Sequence, residues 1–230
     1  MGTLEQMTMG DGATVGVYHA PAVGTRRGGL VVVQEIFGIT PHIRDVADGY
    51  AAEGYEVLAP SLFDREQPGF QGEYEGPDLK RAIELARELH PFELSLDDVQ
   101  TCVDMLAERG PVFVVGYCYG GSVAWFAASR MRGVTAASCY YGSQIPLTNE
   151  MPRVPTVAHF GRNDTGIPVE GVVELIKKHP PQTTVWVYEA GHGFNSDRRR
   201  DYDAESATLA RERTLALFRE HEGAAAAPAG

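Results

Sequence analysis

A cysteine between two glycines is the clearest chemical signal in this sequence. Cys118 lies at the centre of Gly-Tyr-Cys-Tyr-Gly, directly after the apolar run 111–115. A nucleophile at a sharp turn between a strand and a helix sits in strained backbone, so its near neighbours must lack bulk, as Gly116 and Gly120 do. Because residues 122–131 have a helical pattern, Cys118 would lie at a helix N-terminus, where free N–H groups favour a thiolate. The segment predicts a nucleophilic cysteine; the alternative is a buried cysteine beside a tight turn.

A thiol nucleophile needs a base for its proton and a carboxylate that fixes the tautomer of that base. His192, in a glycine-rich loop, and Asp164, before Thr165, are the candidates. Taken singly, His192 could be a surface or capping histidine and Asp164 a turn residue. Together with Cys118 they follow the order nucleophile, acid, histidine, which is the chain order of α/β-hydrolases with cysteine in place of serine. We therefore predict acyl-transfer chemistry.

Alternating strand and helix patterns surround these residues. The predicted strands are 14–20, 29–35, 56–60, 111–115, 136–141, 156–160 and 184–188, and the predicted helices are 42–53, 77–90, 95–108, 122–131, 169–178 and 204–221. This alternation predicts an α/β fold with a mostly parallel central sheet, helices on both faces and no large cap domain. Residues 64–76, rich in Gly, Glu and Pro, are predicted to form an exposed loop.

The polar candidates follow the ends of separate predicted strands. The segments concerned are 34–38, 116–121, 161–164 and 190–194. In a parallel sheet the carboxyl ends of the strands meet at one edge, where chemistry collects. Independent strands would thus deliver an acid, a thiol, a second acid and an imidazole to one site.

Composition limits the possible partners and compartments. The 230 residues include 20 basic and 31 acidic side chains, a formal net charge of −11, and no basic run longer than residues 198–200. Nucleic acid and anionic membranes are therefore poor partners. Three cysteines suit a reducing compartment better than a disulfide scaffold, so we predict a cytoplasmic protein. The N-terminus lacks an apolar signal segment, and no apolar run is long enough to span a membrane.

We predict one domain over residues 1–222 and a disordered, alanine-rich tail over residues 223–230. A monomer or a weak homodimer is expected. Apart from His192, the histidines show no metal-ligand spacing, and neither a metal nor a cofactor is predicted. They are His19, His42, His90, His159, His179 and His221.

Five segments together resemble one enzyme family. They are Gln34-Glu-Ile-Phe-Gly38, Gly116-Tyr-Cys-Tyr-Gly-Gly121, Tyr140-Tyr-Gly142, Gly161-Arg-Asn-Asp164 and Gly191-His-Gly-Phe194. On these residues the sequence resembles the dienelactone hydrolases, or carboxymethylenebutenolidases, of the α/β-hydrolase superfamily. The resemblance extends from about residue 10 to residue 220. It implies hydrolysis of a lactone or ester without a cofactor.

The resemblance also implies a role for each residue of the site. The cysteine, histidine and aspartate named above would form the catalytic triad. Glu35 would pair with the resting thiol and accept its proton when substrate displaces that contact; alternatively, Glu35 only caps its loop. The oxyanion hole would be the N–H groups of Ile36 and Tyr119. General geometry supports this last assignment, because the N–H after the nucleophile and one from an early strand-helix loop converge there.

The substrate-binding positions depart from the family pattern. The family arginine that follows the catalytic histidine by four residues is Ser196 in this sequence. A second family arginine lies on the helix after the long loop, where Lys80 and Arg81 are the nearest matches. The run 198–200 could supply the charge from a shifted loop, or it could be a solvated face. Phe37 completes the predicted substrate-binding set.

These features predict a hydrolase that opens ester or lactone bonds of a small-molecule substrate through an acyl-cysteine intermediate. The substrate is either a dienelactone-like lactone that bears a carboxylate, or a small carboxylic ester or thioester of broad range. A non-catalytic ligand-binding member of the fold and a thiol redox protein are further alternatives. The redox alternative lacks a Cys-x-x-Cys partner, because Cys102 and Cys139 lie in helix and strand patterns.

Overall fold

A computed structural model describes residues 1–178 and 181–223. The strands are β1 (Thr3–Thr8), β2 (Thr14–Ala20), β3 (Gly28–Val33), β4 (Tyr55–Pro60), β5 (Val112–Tyr117), β6 (Val134–Tyr140), β7 (Thr156–Gly161) and β8 (Thr183–Tyr188). In the described residues they form one eight-stranded sheet in the order β1-β2-β4-β3-β5-β6-β7-β8. β2 is antiparallel to β1 and β4, and all other neighbours are parallel. The predicted mostly parallel sheet is confirmed.

The helices alternate with the strands as predicted. They are α1 (Pro41–Ala52), α2 (Gly76–Glu84), α3 (Phe92–Ala107), α4 (Tyr119–Arg130), α5 (Val169–Lys177) and α6 (Ala204–Glu220). α2 continues directly into a π-helical turn, Leu85–Leu89. Side-chain caps fix where two of these helices begin. Thr40, just before α1, accepts a hydrogen bond from the N–H of Ile43, and Asp203, just before α6, accepts one from the N–H of Ser206.

Helices cover both faces of the sheet. A Cβ at Gly29 of β3 would clash with Leu106 of α3, so Gly29 faces that helix. The next residue, Leu30, points to the opposite face and is in register with Phe113 of β5. The ring of Phe113 stacks on Phe218 of α6, with 4.7 Å between centroids. α3 and α6 therefore lie on opposite sides of the central strands, whose residues are consequently all buried.

Helix α3 begins at Phe92, before the predicted start at Ser95. Ser95 and Asp98 have the Ser-x-x-Asp spacing that is typical of a helix start, but here both side chains make tertiary contacts. Ser95 Oγ lies 3.0 Å from His90 Nε2, and Asp98 accepts two hydrogen bonds of 2.7 Å from Arg65. Both residues lie within α3, and both are fully buried in the protein. The prediction was wrong because these residues bind other parts of the molecule instead of the free N–H groups of a helix start.

Residues 64–76 form a loop, as predicted, but the loop is not simply exposed. The N–H of Gly72 donates to the carbonyl of Phe37 at 3.0 Å, and Gly38 forms a β-bridge with Gln71. Gly38 has a φ of 84°, which glycine adopts without a steric penalty. The loop, which we call the covering loop, therefore packs against the segment that follows β3.

Two further observations concern the ends of the chain and the membrane. Of the tail predicted to be disordered, residues 223–230, only Gly223 lies within the described residues. No helix in those residues is long and apolar enough to cross a bilayer.

Candidate active site

Cys118 occupies a sharp turn between β5 and α4. Its backbone has a φ of 55° and a ψ of −113°, a conformation that costs a non-glycine residue about 1–3 kcal/mol. The N–H of Cys118 donates to the carbonyl of Tyr140 at 3.0 Å. A Cβ at Gly116 would clash with the carbonyl of Gly120, and a Cβ at Gly120 would clash with the carbonyl of Val33. The turn therefore requires both of the glycines that flank the cysteine.

His192 lies between Cys118 and Asp164. Its Nε2 is 3.2 Å from Cys118 Sγ, and its Nδ1 is 2.7 Å from Asp164 Oδ2. The other oxygen of Asp164 accepts from the N–H groups of Gly166 at 2.8 Å and Ile167 at 3.0 Å. A buried carboxylate fixed in this way holds the proton on Nδ1 and leaves Nε2 for the sulfur. The three side chains thus have the mutual geometry of a nucleophile, a base and an orienting acid.

The surroundings of His192 favour its protonated form. Burial by itself lowers the pKa of His192, but the hydrogen bonds and charges of Asp164 and Cys118 outweigh burial and raise this pKa to about 10. The ring of Tyr141 packs beside the imidazole, with 5.1 Å between centroids. An imidazole in this setting can hold the proton of a neighbouring thiol at neutral pH.

Glu35 is fully buried and engages groups other than the thiol. Arg199 Nη1 donates to Glu35 Oε1 at 3.3 Å, and the Tyr74 hydroxyl donates to Glu35 Oε2 at 3.4 Å. Within the described residues, no hydrogen bond joins Glu35 to Cys118. This conformation therefore lacks the expected resting pair of Glu35 and the thiol, because His192 faces the sulfur while Arg199 compensates the buried carboxylate.

A cavity of about 300 Å³ lies beside Cys118. Ile36 and Tyr119 both line it. In the described part of the chain, neither of their N–H groups donates to a main-chain carbonyl. Tyr119 is the first residue of α4, where an N–H has no acceptor within the helix. Two such N–H groups next to a nucleophile suit the negative oxygen of a tetrahedral intermediate. The other lining residues are Ile83, Ala86, Arg87, Ser122, Ser143 and Gln144.

The two cations predicted on α2 lie away from this cavity. Lys80 is exposed. The Arg81 guanidinium donates to Gln67 at 2.6 Å and to the Glu84 carboxylate at 2.7 Å, so its charge is paired with that of Glu84. The cavity-lining residues described above include neither cation.

Phe37 and Ser196 are buried under the covering loop. The ring of Phe37 packs edge-to-face against Tyr74, with 4.7 Å between centroids. Ser196 Oγ lies 3.2 Å from the Tyr74 hydroxyl. Both residues therefore support Tyr74, which in turn contacts Glu35.

Two arginines lie near the site, of which Arg199 belongs to the run named from the sequence and Arg87 was not named. Within the run 198–200, Arg198 pairs with Asp45 at the surface, whereas Arg199 has a side chain only 17% exposed and reaches Glu35. Arg87 lines the cavity from the π-helical turn. Such turns often occur at functional sites, but nothing in the sequence distinguishes one from an ordinary helix.

The other two cysteines, and the side chains of the types that bind metals, contrast with the site at Cys118. In residues 1–178 and 181–223, no group of three His, Cys, Asp or Glu side chains is arranged to hold a metal ion. Cys102 and Cys139 are free and fully buried. Burial raises the pKa of both thiols well above the ordinary value. Cys118, in contrast, is partly accessible.

Several known proteins are similar to this chain in sequence or in fold. Residues 15–222 match the sequence model of the Dienelactone hydrolase family. A Synechocystis sp. protein, named as a candidate carboxymethylenebutenolidase, is 34% identical over 210 residues, which cover 82% of this chain and 84% of that protein. Carboxymethylenebutenolidase of Pseudomonas putida is 29% identical over 220 residues, covering 89% and 91%. The crystal structure of a candidate dienelactone hydrolase from Klebsiella pneumoniae has a TM-score of 0.80 and 26% identity, covering 96% of this chain and 99% of that one.

Proposed function

We propose that this chain, which belongs to the dienelactone hydrolase family, hydrolyses carboxylic ester or lactone bonds through an acyl-cysteine intermediate. One observation carries the proposal. The imidazole of His192 lies 3.2 Å from the Cys118 sulfur and 2.7 Å from the Asp164 carboxylate, beside a cavity that Ile36 and Tyr119 line, whose N–H groups donate to no main-chain carbonyl among the described residues. This arrangement supports an acyl transfer in which Cys118 is the nucleophile, His192 is the base and the two N–H groups stabilise the oxyanion.

The proposed reaction has two halves. Cys118 Sγ attacks the carbonyl carbon while His192 holds the thiol proton, and the carbonyl oxygen becomes an oxyanion that accepts from the N–H groups of Ile36 and Tyr119. Collapse of this intermediate breaks the bond to the leaving oxygen, which takes the proton from His192. Water then attacks the thioester and gives a proton to His192. Release of the acid returns that proton to sulfur.

Arg199 and Glu35 favour an anionic substrate in this proposal. A planar guanidinium binds carboxylates through charge-assisted hydrogen bonds, and Arg199 already binds that of Glu35. A substrate carboxylate that takes this place on Arg199 deprives Glu35 of its ion-pair partner. Glu35 then becomes a second acceptor for the thiol proton beside His192, so the share of thiolate rises when substrate is bound, and the leaving oxygen still takes its proton from His192.

A broad-range carboxylesterase or thioesterase is the second candidate. The cavity wall favours it, because Ile36, Ile83 and Ala86 offer apolar contact to a neutral acyl group. A dead binding site has less support, since all three side chains of the proposed triad are present and in contact. A thiol redox protein has less support too, because Cys102 and Cys139 are fully buried.

Turnover of two substrates tests the proposal. Purified protein is assayed with p-nitrophenyl acetate and with a small unsaturated lactone that bears a carboxylate, before and after treatment with iodoacetamide. Hydrolysis that the thiol reagent abolishes supports the acyl-cysteine mechanism, whereas hydrolysis that survives full alkylation of Cys118 contradicts it. The ratio of kcat/KM for the two substrates decides between the two substrate classes.

A further inference from the structure

A chain of four hydrogen-bonded side chains leads from the covering loop to the residue next to the nucleophile. Both carboxylate oxygens of Glu66 lie close to His90 Nδ1, at 3.1 and 3.0 Å. His90 Nε2 is 3.0 Å from Ser95 Oγ, and Ser95 Oγ is 2.9 Å from the hydroxyl of Tyr119. The side chain of His90 and the whole of Ser95 are fully buried. We call these four residues the Glu66 relay.

The acceptor at one end fixes the direction of the relay. A carboxylate only accepts hydrogen bonds, so His90 Nδ1 donates to Glu66. Nε2 then accepts from the Ser95 hydroxyl, and the Ser95 oxygen accepts from the Tyr119 hydroxyl. If Nε2 donated instead, either the Ser95 O–H or the Tyr119 O–H would have no acceptor among the described residues. The relay is therefore fully satisfied in one arrangement, which gives the Tyr119 hydroxyl a single position.

The relay is not a second hydrolase site, although it contains a serine, a histidine and an acid. Ser95 has no exposed surface, and its hydroxyl faces Tyr119. Ser95 and His90 do not line the cavity beside the nucleophile, as far as the described residues show. The group on which the relay acts is therefore Tyr119.

Tyr119 links the relay to the backbone of the turn. Its ring is enclosed by Phe63 and Phe92, with centroids 5.7 and 5.5 Å away. The N–H of Tyr119 belongs to the peptide group that joins Cys118 to Tyr119. Cys118 itself has a strained backbone, with a φ of 55°. A strained residue keeps its conformation only where the surrounding structure over-determines it. Ring packing and the relay together restrain Tyr119, and hence the peptide plane that carries its N–H.

We propose that Glu66, His90 and Ser95 are positioning residues that hold Tyr119 so that its N–H points at the substrate oxyanion. This inference rests on the proposed function, because it assigns the Tyr119 N–H to that oxyanion. The relay also connects the N–H to the part of the chain that carries Ile83, Ala86 and Arg87 over the cavity. The position of that segment and the alignment of the oxyanion donor are thereby coupled.

Single-turnover acylation with p-nitrophenyl acetate tests the relay in Ser95→Ala, Tyr119→Phe and the double variant. Each single change removes one hydroxyl and keeps the packing of the ring. Because a misaligned donor loses part of its effect, we expect the acylation rate to fall about 5- to 30-fold, with KM changing less than about twofold. The double variant should match the single variants, because either change already breaks the relay. Ser129→Ala is the control, since Ser129 is a buried serine of α4 that bonds only to the Trp125 carbonyl among the described residues.

Two results would overturn the inference. One is folded single variants that acylate at the wild-type rate; the other is losses that multiply in the double variant. Hydrogen exchange at the amides of residues 119–121 gives a readout that does not depend on activity, and it should accelerate in Ser95→Ala but not in Ser129→Ala. If the wild type shows no Cys118-dependent hydrolysis, the proposed function fails, and the exchange experiment still decides whether the relay restrains the turn. If Ser95→Ala does not fold, Tyr119→Phe provides the same test.

Discussion

Arg199 Nη1 lies 3.3 Å from Glu35 Oε1, so the cation that faces this buried acid stands one turn beyond Ser196. Two successive four-residue turns explain the shift. The N–H of Ser196 donates to the carbonyl of Gly193, and the N–H of Arg199 donates to the carbonyl of Ser196, each at 3.0 Å. Both side chains reach Tyr74, Ser196 through its hydroxyl and Arg199 over the ring at 5.3 Å. A displacement of three residues along the chain thus keeps the charge at the site.

Arg199→Ala should reduce discrimination in favour of an anionic lactone. Each charge-assisted hydrogen bond to a carboxylate contributes about 1.5–3 kcal/mol, so KM for the anionic substrate should rise about tenfold or more relative to KM for p-nitrophenyl acetate. Arg198→Ala is the control, because Arg198 pairs with Asp45 at the surface. An unchanged ratio of the two KM values in Arg199→Ala would show that another cation, such as Arg87, binds the carboxylate.

Cys118→Ala should abolish ester hydrolysis, because it removes the only thiol that the described structure places at the cavity. Cys102→Ala and Cys139→Ala should keep most of the activity and lose about 1 kcal/mol of stability, which is typical of truncation in a core. The comparison uses initial rates together with circular dichroism to confirm folding. Near wild-type turnover by a folded Cys118→Ala protein would rule out an acyl-cysteine.

Glu35→Gln should slow acylation while leaving deacylation nearly unchanged. The amide keeps the shape of the side chain but cannot take a proton from Cys118, so we expect an acylation rate about 10²-fold lower, at the small end of general-base effects. Tyr74→Phe, which removes only a hydroxyl bonded to Glu35, should have a much smaller effect. Stopped-flow measurement of the first turnover distinguishes the two steps. Equal acylation rates in Glu35→Gln and wild type would reduce Glu35 to a structural role.

Asp164→Asn should lower both the pKa of His192 and the turnover rate. Asp164 helps to raise the pKa of His192 to about 10, and the amide would no longer stabilise the imidazolium. Since the folded-state pKa exceeds the unfolded one, the pairing stabilises the fold fully below about pH 6.5, and that contribution is lost as pH rises through the folded-state value. NMR titration of the His192 ring should show a lower inflection in Asp164→Asn, and kcat should fall about 10³- to 10⁴-fold. An unmoved inflection would mean that Asp164 does not act on His192.

The parts of the site that lie directly after strands could be predicted from the sequence. Cys118, Asp164 and His192 come together because parallel strands bring their carboxyl ends to one edge, and each residue follows its strand closely. The two glycines around Cys118 are required by main-chain contacts that any nucleophile in such a turn would make. The mostly parallel sheet type followed from the same alternation of strand and helix patterns.

The parts that depend on loop conformation could not be predicted. The sequence indicated that the run 198–200 could supply the charge that Ser196 lacks, but it does not indicate that Arg199, rather than its neighbours, faces Glu35. The turns over residues 193–199 set that orientation, although Asn195 and Asp197 are typical turn residues. β1 lacks the alternation of buried and exposed residues, since nearly all of its side chains face solvent, so no pattern marked it. The contacts of Ser95 depend on His90 and Tyr119, which local sequence cannot reveal.

The position of β8 has a consequence for how the protein loses activity. β8 is the last strand of the described sheet, pairs there only with β7, and leaves alternate residues open to solvent. His192 follows this strand, whereas Cys118 and Glu35 follow strands at the buried centre. Separation of an edge strand requires far less free energy than disruption of a central one. Detachment of β8 would displace His192, the proposed general base, before global unfolding. We therefore expect the temperature of thermal inactivation to lie below the temperature at which the core unfolds.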